Sequence, residues 1–298
     1  MTGIIRFPHL EIELTHIARS FRIGPLTIAF YGLIIGIAML TGLMLTEKAA
    51  SATGQDPDQY VDLGLLAIVM AVIGARIYYV AFSWDYYRSH LSEIPNLREG
   101  GLAIYGGILG GILAVLLFAR WKKKSALVLL DTACLGLLWG QILGRWGNFF
   151  NREAFGEYTD SLFAMQLPLQ DVNTADVTQK MMDHLVTVDK IQYIQVHPTF
   201  LYESLWNLGV LAVLLALTFL MDPGPGASAE RKRRRPAGLV FWSYLLLYGI
   251  GRFFIEGLRT DQLILWGTSL PVSQLLSGIL VLFSLAAVGW VLGRSSRR

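Results

Sequence analysis

Seven apolar stretches decide most of what this chain can fold into. They fall near 25–45, 61–82, 101–119, 126–146, 198–221, 238–257 and 272–293. Each is long enough to cross a hydrocarbon core about 30 Å thick at about 1.5 Å per helical residue. Composition points the same way. Of 298 residues, 54% are hydrophobic and 16% charged, against roughly 45–50% and 25% in soluble domains, and the mean hydropathy is +0.49. The expected fold is an all-α integral membrane protein, a seven-transmembrane helix bundle forming one polytopic domain over 1–298, with a small extracytoplasmic head segment at 147–197. The first 24 residues carry Arg6, Glu11, Glu13, Arg19 and Arg22 without an apolar core or a small-residue cleavage site, so they do not read as a secretory signal. Cys134 is the single cysteine. It excludes an intrachain disulfide and a cysteine metal cluster, and it reads as a small apolar packing residue.

Basic flanks set the orientation. The links "ARWKKKS" and "AERKRRRPAG" and the tail "GRSSRR" fall on one side if the chain crosses seven times, as does the link with Glu47 and Lys48. That side is assigned to the cytoplasm. The N-terminus, 83–100, 147–197 and 259–271 then lie outside. Between two spans, the run 231–235 is solvated juxtamembrane charge rather than a nucleic-acid patch, and "MDPGPGASAERKRRRP" is a flexible linker. The outer segment 147–197, with Pro168, several acids and the β-prone "IQYIQVHP", is expected to hold a strand or two. No internal repeat is evident. Gly32 and Gly36, then Gly106, Gly107, Gly110 and Gly111, then Gly136, Gly140 and Gly144, are spaced for close helix approach.

Charged side chains within spans cost about 2.5–3.5 kcal/mol each on insertion scales and usually face a protein interior or a cavity. Arg76 lies in "GARIYYV" of span two. Gln141, Arg145 and Asn148 share a face of span four about 60° wide, beside the glycine stripe. On span six, Tyr248, Arg252, Glu256 and Arg259 fit within about 80° of arc. Glu203 and Asn207 stand four apart on span five, and His197 precedes Pro198 at a helix entrance. Each pair alone reads as a buried ion pair that fixes helix register. Taken together, the acids near Arg76, Arg145, Arg152, Arg252 and Arg259 look too few to neutralise them. Surplus guanidinium at the interface predicts an anionic ligand, because arginine's planar fork suits phosphate oxygens, and a lipid phosphate is the anion at that depth.

The stretch "GRWGNFFNREAFG" at 144–156 resembles the signature of the prolipoprotein diacylglyceryl transferases, membrane enzymes that begin bacterial lipoprotein maturation. "FYG" at 30–32, "GARIYYV" at 74–80, "EGGLAIYGG" at 99–107, "HPTFLYE" at 197–203 and "YGIGRFFIEGLRTD" at 248–261 agree in order along almost the whole chain. The resemblance implies a seven-span bundle with its N-terminus outside, in the bacterial cytoplasmic (inner) membrane, with the active site toward the outer leaflet. It also implies transfer of diacylglyceryl from phosphatidylglycerol to the lipobox cysteine of a prolipoprotein signal peptide. That step forms a thioether and releases glycerol 1-phosphate, with no metal or organic cofactor. The family's invariant residues carry over to Tyr31, Arg145, Asn148, Asn151, Glu153, Gly156, Tyr248 and Arg252, with Arg76, Glu203, Glu256 and Arg259 in support.

Several members of the family have a histidine where this chain has Tyr105. A phenol with an ordinary pKa of about 10 is a poor base at neutral pH, so Tyr105 is expected to hydrogen-bond at the lipid head group and to join the catalytic set in that capacity. Arg145 and Arg252 are expected to stabilise the departing phosphate. Asn148, Asn151, Tyr31, Tyr248, Arg76 and Arg259 are expected to bind phosphatidylglycerol, while Glu153 orients an arginine or helps deprotonate the thiol. Glu203, Glu256, Gly156 and His197 are expected to orient the rest. A lipid or anion transporter that uses the arginines only as a binding site is the competing reading, and a scaffold protein is a third. The topology is testable directly. A membrane-impermeant thiol probe is expected to label a cysteine at Thr174, and not one at Ser228, in intact cells stripped of any outer barrier. The reverse pattern would overturn the orientation.

Overall fold

The computed structural model describes residues 3–97, 100–221, 235–265, 267–268 and 270–295. Ser228 and most of the basic linker, with the last three residues of the tail, lie outside the described residues. Among the described residues, seven helices are long and apolar enough to cross a membrane: α1 (Phe30–Ala52), α2 (Asp58–Phe82), α4 (Ile104–Trp121), α5 (Ala126–Asn151), α7 (Thr199–Met221), α8 (Leu239–Glu256) and α9 (Val272–Ser295). A helix is the form that lets an isolated apolar segment satisfy its own backbone hydrogen bonds in lipid. Short helices α3 (Trp84–Tyr87) and α6 (Gln179–Asp183) lie in the connections. The protein is mostly helical, as the apolar pattern predicts.

Three boundaries differ from the pattern, one of them the far end of span one, which runs on to Ala52 instead of closing near residue 45. Span one begins at Phe30 instead of near residue 25, because Leu26–Ala29 (β4) pairs antiparallel with Ser20–Ile23 (β3). Gly24 takes φ +58° in the two-residue turn between them, a conformation glycine adopts without steric cost. Span four runs on to Asn151 instead of ending near 146, so most of the signature is helical.

The contacts divide the chain into two compact units, one made of the chain up to Gly42, Leu135–Thr218 and Trp242 onward, the other of Leu43–Cys134 and Phe219–Phe241. The first carries a five-stranded sheet of order β2-β1-β5-β7-β6, from Ile5–Phe7 (β1), Ile12–Leu14 (β2), Met165–Pro168 (β5), Val186–Val188 (β6) and Ile191–Val196 (β7). The apolar residues of 147–197 alone do not complete this sheet, and the N-terminal β1 and β2 join it through β1–β5 pairing. Ile5, Phe7, Met165, Leu167, Ile194 and Val196 pack with Phe149 of α5 and Phe200 of α7, whose rings stand 4.9 Å apart. The head thus grips the ends of two membrane helices by apolar burial. Beneath it, α1 lies along the small-residue face of α5. Tyr31 packs its ring on Gly147, and Gly42 meets the backbone of Gly136.

In the second unit, α2 and α4 approach through Gly74, Gly106 and Gly110, where a Cβ on Gly74 would stand 3.1 Å from the Cα of Gly110. Tyr60, Leu63, Val115, Phe118 and Leu129 form its core. Asp131 is a helix cap. Its carboxylate accepts the amides of Gly238 and Phe241, each at 2.8 Å, at the start of α8. Glycine spacing alone overcounts close approaches, since a Cβ added at Gly32, Gly36 or Gly140 would meet nothing within 4 Å. Substitution separates the two kinds. Gly140→Ala should hold or raise the melting temperature, because alanine gains helix propensity of about 1 kcal/mol. Gly42→Ala places its methyl 2.7 Å from the Gly136 carbonyl oxygen. It should lower the melting temperature in matched detergent by an overpacking cost of about 1–3 kcal/mol.

Candidate active site

The first unit gathers the polar residues of α5, α7 and α8 around one carboxylate. Glu203, on the first turns of α7, is 4% exposed. Its Oε2 lies 2.8 Å from Nη2 of Arg145 on α5. Its Oε1 accepts from Nη1 of Arg252 on α8 at 3.0 Å and lies 3.7 Å from Nη1 of Arg259. Arg252 also reaches Glu256 one turn on, Nη2 to Oε2 at 2.5 Å. Arg259 forms a two-pronged pair with Asp261, Nε to Oδ1 at 2.9 Å and Nη2 to Oδ2 at 2.6 Å, the fork geometry that makes arginine pairs strong.

This arrangement corrects the expected surplus of positive charge. Arg145, Arg252 and Arg259 are matched by Glu203, Glu256 and Asp261. The other two arginines are occupied elsewhere. Arg152 is buried in the head, 3.8 Å from Asp171 and donating to the Ile17 carbonyl, and burial there pushes its guanidinium below its ordinary pKa. Arg76 belongs to the second unit. The correction has a physical basis: a cluster that must enter lipid folds at least cost when it is close to neutral. Arg145 retains donors, because it has no hydrogen bond or ion pair beyond that to Glu203 among the described residues and its side chain is 20% exposed.

The expected face of span six also changes. The helix α8 ends at Glu256, so Arg259 is not on it. Arg259 pairs its backbone with Gly156 as an isolated β-bridge. The chain bends directly after this bridge, at Thr260 and Asp261, and Asp261 meets the Arg259 guanidinium. Asp261 was the missed member of the cluster, although it closes the quoted "YGIGRFFIEGLRTD". Burial opposes ionisation of Asp261, but the hydrogen bonds and charge of Arg259 outweigh it and hold the carboxyl below its ordinary range. The head contributes a second unforeseen acid. Burial, and then the charge of Asp261, push the Asp176 carboxyl up, with Glu153 adding to the effect.

The turn after α5 sets the rest. Arg152 takes φ +56°, and the amides of Arg152 and Glu153 bond the carbonyls of Phe149 and Asn148 at 3.2 and 3.1 Å. This is the Schellman ending, usually made by glycine at the left-handed position. It folds Glu153 back over the helix end, where its Oε1 accepts from the amides of Asn148 at 2.9 Å and Asn151 at 3.3 Å. Glu153 thus bonds the two asparagines, and no arginine pairs with it among the described residues. Gly156 is pressed between the entrance of α7 and the exit of α8. Its N–H donates to the His197 carbonyl at 3.0 Å, and a Cβ there would stand 2.8 Å from the Leu258 carbonyl oxygen. The His197 ring faces the Tyr202 hydroxyl at 3.3 Å, and burial holds it below its ordinary pKa. Tyr248 stacks on Tyr244, which exchanges hydrogen bonds with Gln141. Tyr31 rests on Gly147 and is 38% exposed.

In the second unit, Arg76 spends its guanidinium on four carbonyls: Ile94 at 2.7 Å, Glu93 at 2.8 Å, and Gly100 and Gly101 at 3.0 Å. It pins the segment that leads into α4. Tyr105 lies in the first turn of that helix, its ring 6.5 Å from Tyr78. Among the described residues no cluster of His, Cys, Asp and Glu has the geometry to hold a metal ion. The dependence on Glu203 can be measured. Removing one partner of a buried ion pair costs about 3–5 kcal/mol, so Glu203→Gln should lower the melting temperature sharply in matched detergent. Arg145→Gln should then cost clearly less in that background than alone.

The sequence profile of the family described as prolipoprotein diacylglyceryl transferase matches residues 18–290. The phosphatidylglycerol–prolipoprotein diacylglyceryl transferases of Bacillus cereus (strain Q1), Bacillus anthracis (strain CDC 684 / NRRL 3495) and Bacillus thuringiensis subsp. konkukian (strain 97-27) are each 40% identical to it over 266 residues, 89% of this chain and 88% of theirs. A match of that length places the chain in the prolipoprotein diacylglyceryl transferase family.

Proposed function

We propose that the protein transfers diacylglyceryl from phosphatidylglycerol to the lipobox cysteine of prolipoproteins, at a site facing the outer leaflet of the bacterial inner membrane. The convergence of Arg145, Arg252 and Arg259 on Glu203 carries this reading. The cysteine sulfur attacks the diacylglyceryl CH2 that bears the phosphate oxygen. A C–S bond forms, the C–O bond breaks, and the electron pair leaves on glycerol 1-phosphate. The phosphate moves from one negative charge toward two, and donors aimed at that growing charge favour the transition state over the ground state. Arg145 has donors free for the phosphate, while Arg252 is aligned from both sides by Glu203 and Glu256. Their preorganisation is set during folding, so no reorganisation is needed at the moment of reaction.

Asn148 and Asn151 each keep a second amide N–H for the same phosphate. Glu153 offers its other carboxylate oxygen as acceptor for the thiol proton, since both asparagines bond only Oε1. Tyr31 and Tyr248 border the head group. Tyr105 is assigned a hydrogen bond to the head group, and Arg76, whose guanidinium is taken by carbonyls of the segment leading into α4, a positioning role. Gly156, His197 and Glu256 hold the frame. No metal or organic cofactor takes part, and the apolar spans receive the acyl chains and the signal peptide. The transporter reading lacks support beside the family match.

Purified protein incubated with phosphatidylglycerol and a lipobox peptide should give a peptide with the diacylglyceryl mass gain, and no gain would defeat the proposal. In that assay Arg252→Lys should lose about a hundred- to thousandfold in turnover, the usual effect of removing one donor to developing charge, because an ammonium cannot reproduce the fork. Its melting temperature should change little. Near-normal turnover, or inactivity explained wholly by unfolding, would leave Arg252 a structural ion-pair residue.

A further inference from the structure

The link "ARWKKKS" builds more than a charged border. Where α4 passes into α5, Leu116, Ala119, Arg120, Lys123, Lys124 and Ala126 line a groove of about 370 Å³. Arg120, Lys123 and Lys124 are exposed and make no ion pair among the described residues. Their neighbour Lys122 behaves differently, with Asp62 at 3.4 Å and the Trp121 ring 4.8 Å from its ammonium. The turn itself is formed at some cost. Lys123 takes φ +53°, and Lys124 N–H reaches back to the Ala119 carbonyl at 2.9 Å, the Schellman pattern in which glycine is usual. One wall of the groove is apolar, and it continues into the exposed stripe Leu113, Leu116 and Leu117 of α4. Trp121, 72% exposed, stands where aromatic rings settle at the membrane interface.

We propose that this groove binds an anionic phospholipid of the leaflet at that end of the span, its phosphate held by Arg120, Lys123 and Lys124 and an acyl chain lying along Leu116 and Leu113. Basic pockets between membrane helices are suited to phosphate head groups, and the unpaired charge here meets a lipid-facing stripe that a soluble anion would not use. The groove shares no residue with the arginine cluster, and Ala126 and Arg145 stand nineteen residues apart along α5.

The test counts lipids retained by the full chain in non-ionic detergent, by native mass spectrometry, with phosphatidylserine, phosphatidylcholine or inorganic phosphate added. The triple variant Arg120→Gln, Lys123→Gln, Lys124→Gln should retain five- to tenfold less phosphatidylserine than the natural chain. Phosphatidylcholine binding should not change, and turnover should stay within twofold. If the triple variant melts early, the double variant Lys123→Gln, Lys124→Gln should still show at least a threefold loss. The control Lys48→Gln, Lys122→Gln, Arg294→Gln removes three cations that the topology assigns to the same side, and it should retain lipid like the natural chain. Equal losses in the control would show diffuse surface charge and overturn the site. Inorganic phosphate that displaces phosphatidylserine at equal concentration would also overturn it, by making a free anion the ligand.

Discussion

A carboxylate buried among three guanidiniums is the interaction on which the rest of this protein depends. Glu203 is nearly inaccessible, and taking an ion out of water costs several kcal/mol unless partners replace its hydration. Arg145, Arg252 and Arg259 do so from α5, α8 and the turn after α8. Each approaches from a different element, so the pairing fixes register as well as charge. A shift of α7 by one residue would rotate Glu203 about 100° from its partners. Charge balance also gives the reaction its logic. A neutral cluster does not hold a phosphate by net attraction alone. Its donors are already aligned, however, and they gain most when the leaving phosphate acquires its second charge.

The head braces this cluster. The sheet buries Phe149 and Phe200 at the ends of α5 and α7, so the helix carrying Arg145 and the helix carrying Glu203 end in one apolar core. Three backbone features then bring the polar groups together. Arg152 in a left-handed conformation turns Glu153 onto Asn148 and Asn151. Gly156 lets the same loop pass under the Leu258 carbonyl. The β-bridge between Gly156 and Arg259 carries Arg259 and Asp261 to the site. Arginine at the left-handed position is unusual, and its side chain bonds to the Ile17 and Phe150 carbonyls offset part of the conformational cost.

The spans, the polar faces of α5 and α8 and the signature at 144–156 were legible in the sequence, because hydrophobic length and helical period are local properties that a linear pattern records. They determined a seven-helix membrane protein and named Arg145, Asn148, Glu153, Glu203, Arg252 and Glu256. Tertiary structure decided which of these meet, and what neutralises them. Asp261 escaped notice because it lies beyond the end of α8, in a turn and bend where the helical period no longer applies. Asp176 comes from the head, far from the cluster in sequence. One neighbour of β5 is β1, from the far N-terminal end of the chain, and Arg76 gives its guanidinium to backbone carbonyls. An ion pair between distant segments leaves no periodic trace in the chain. Its energy depends on distance and burial, which only the folded backbone sets.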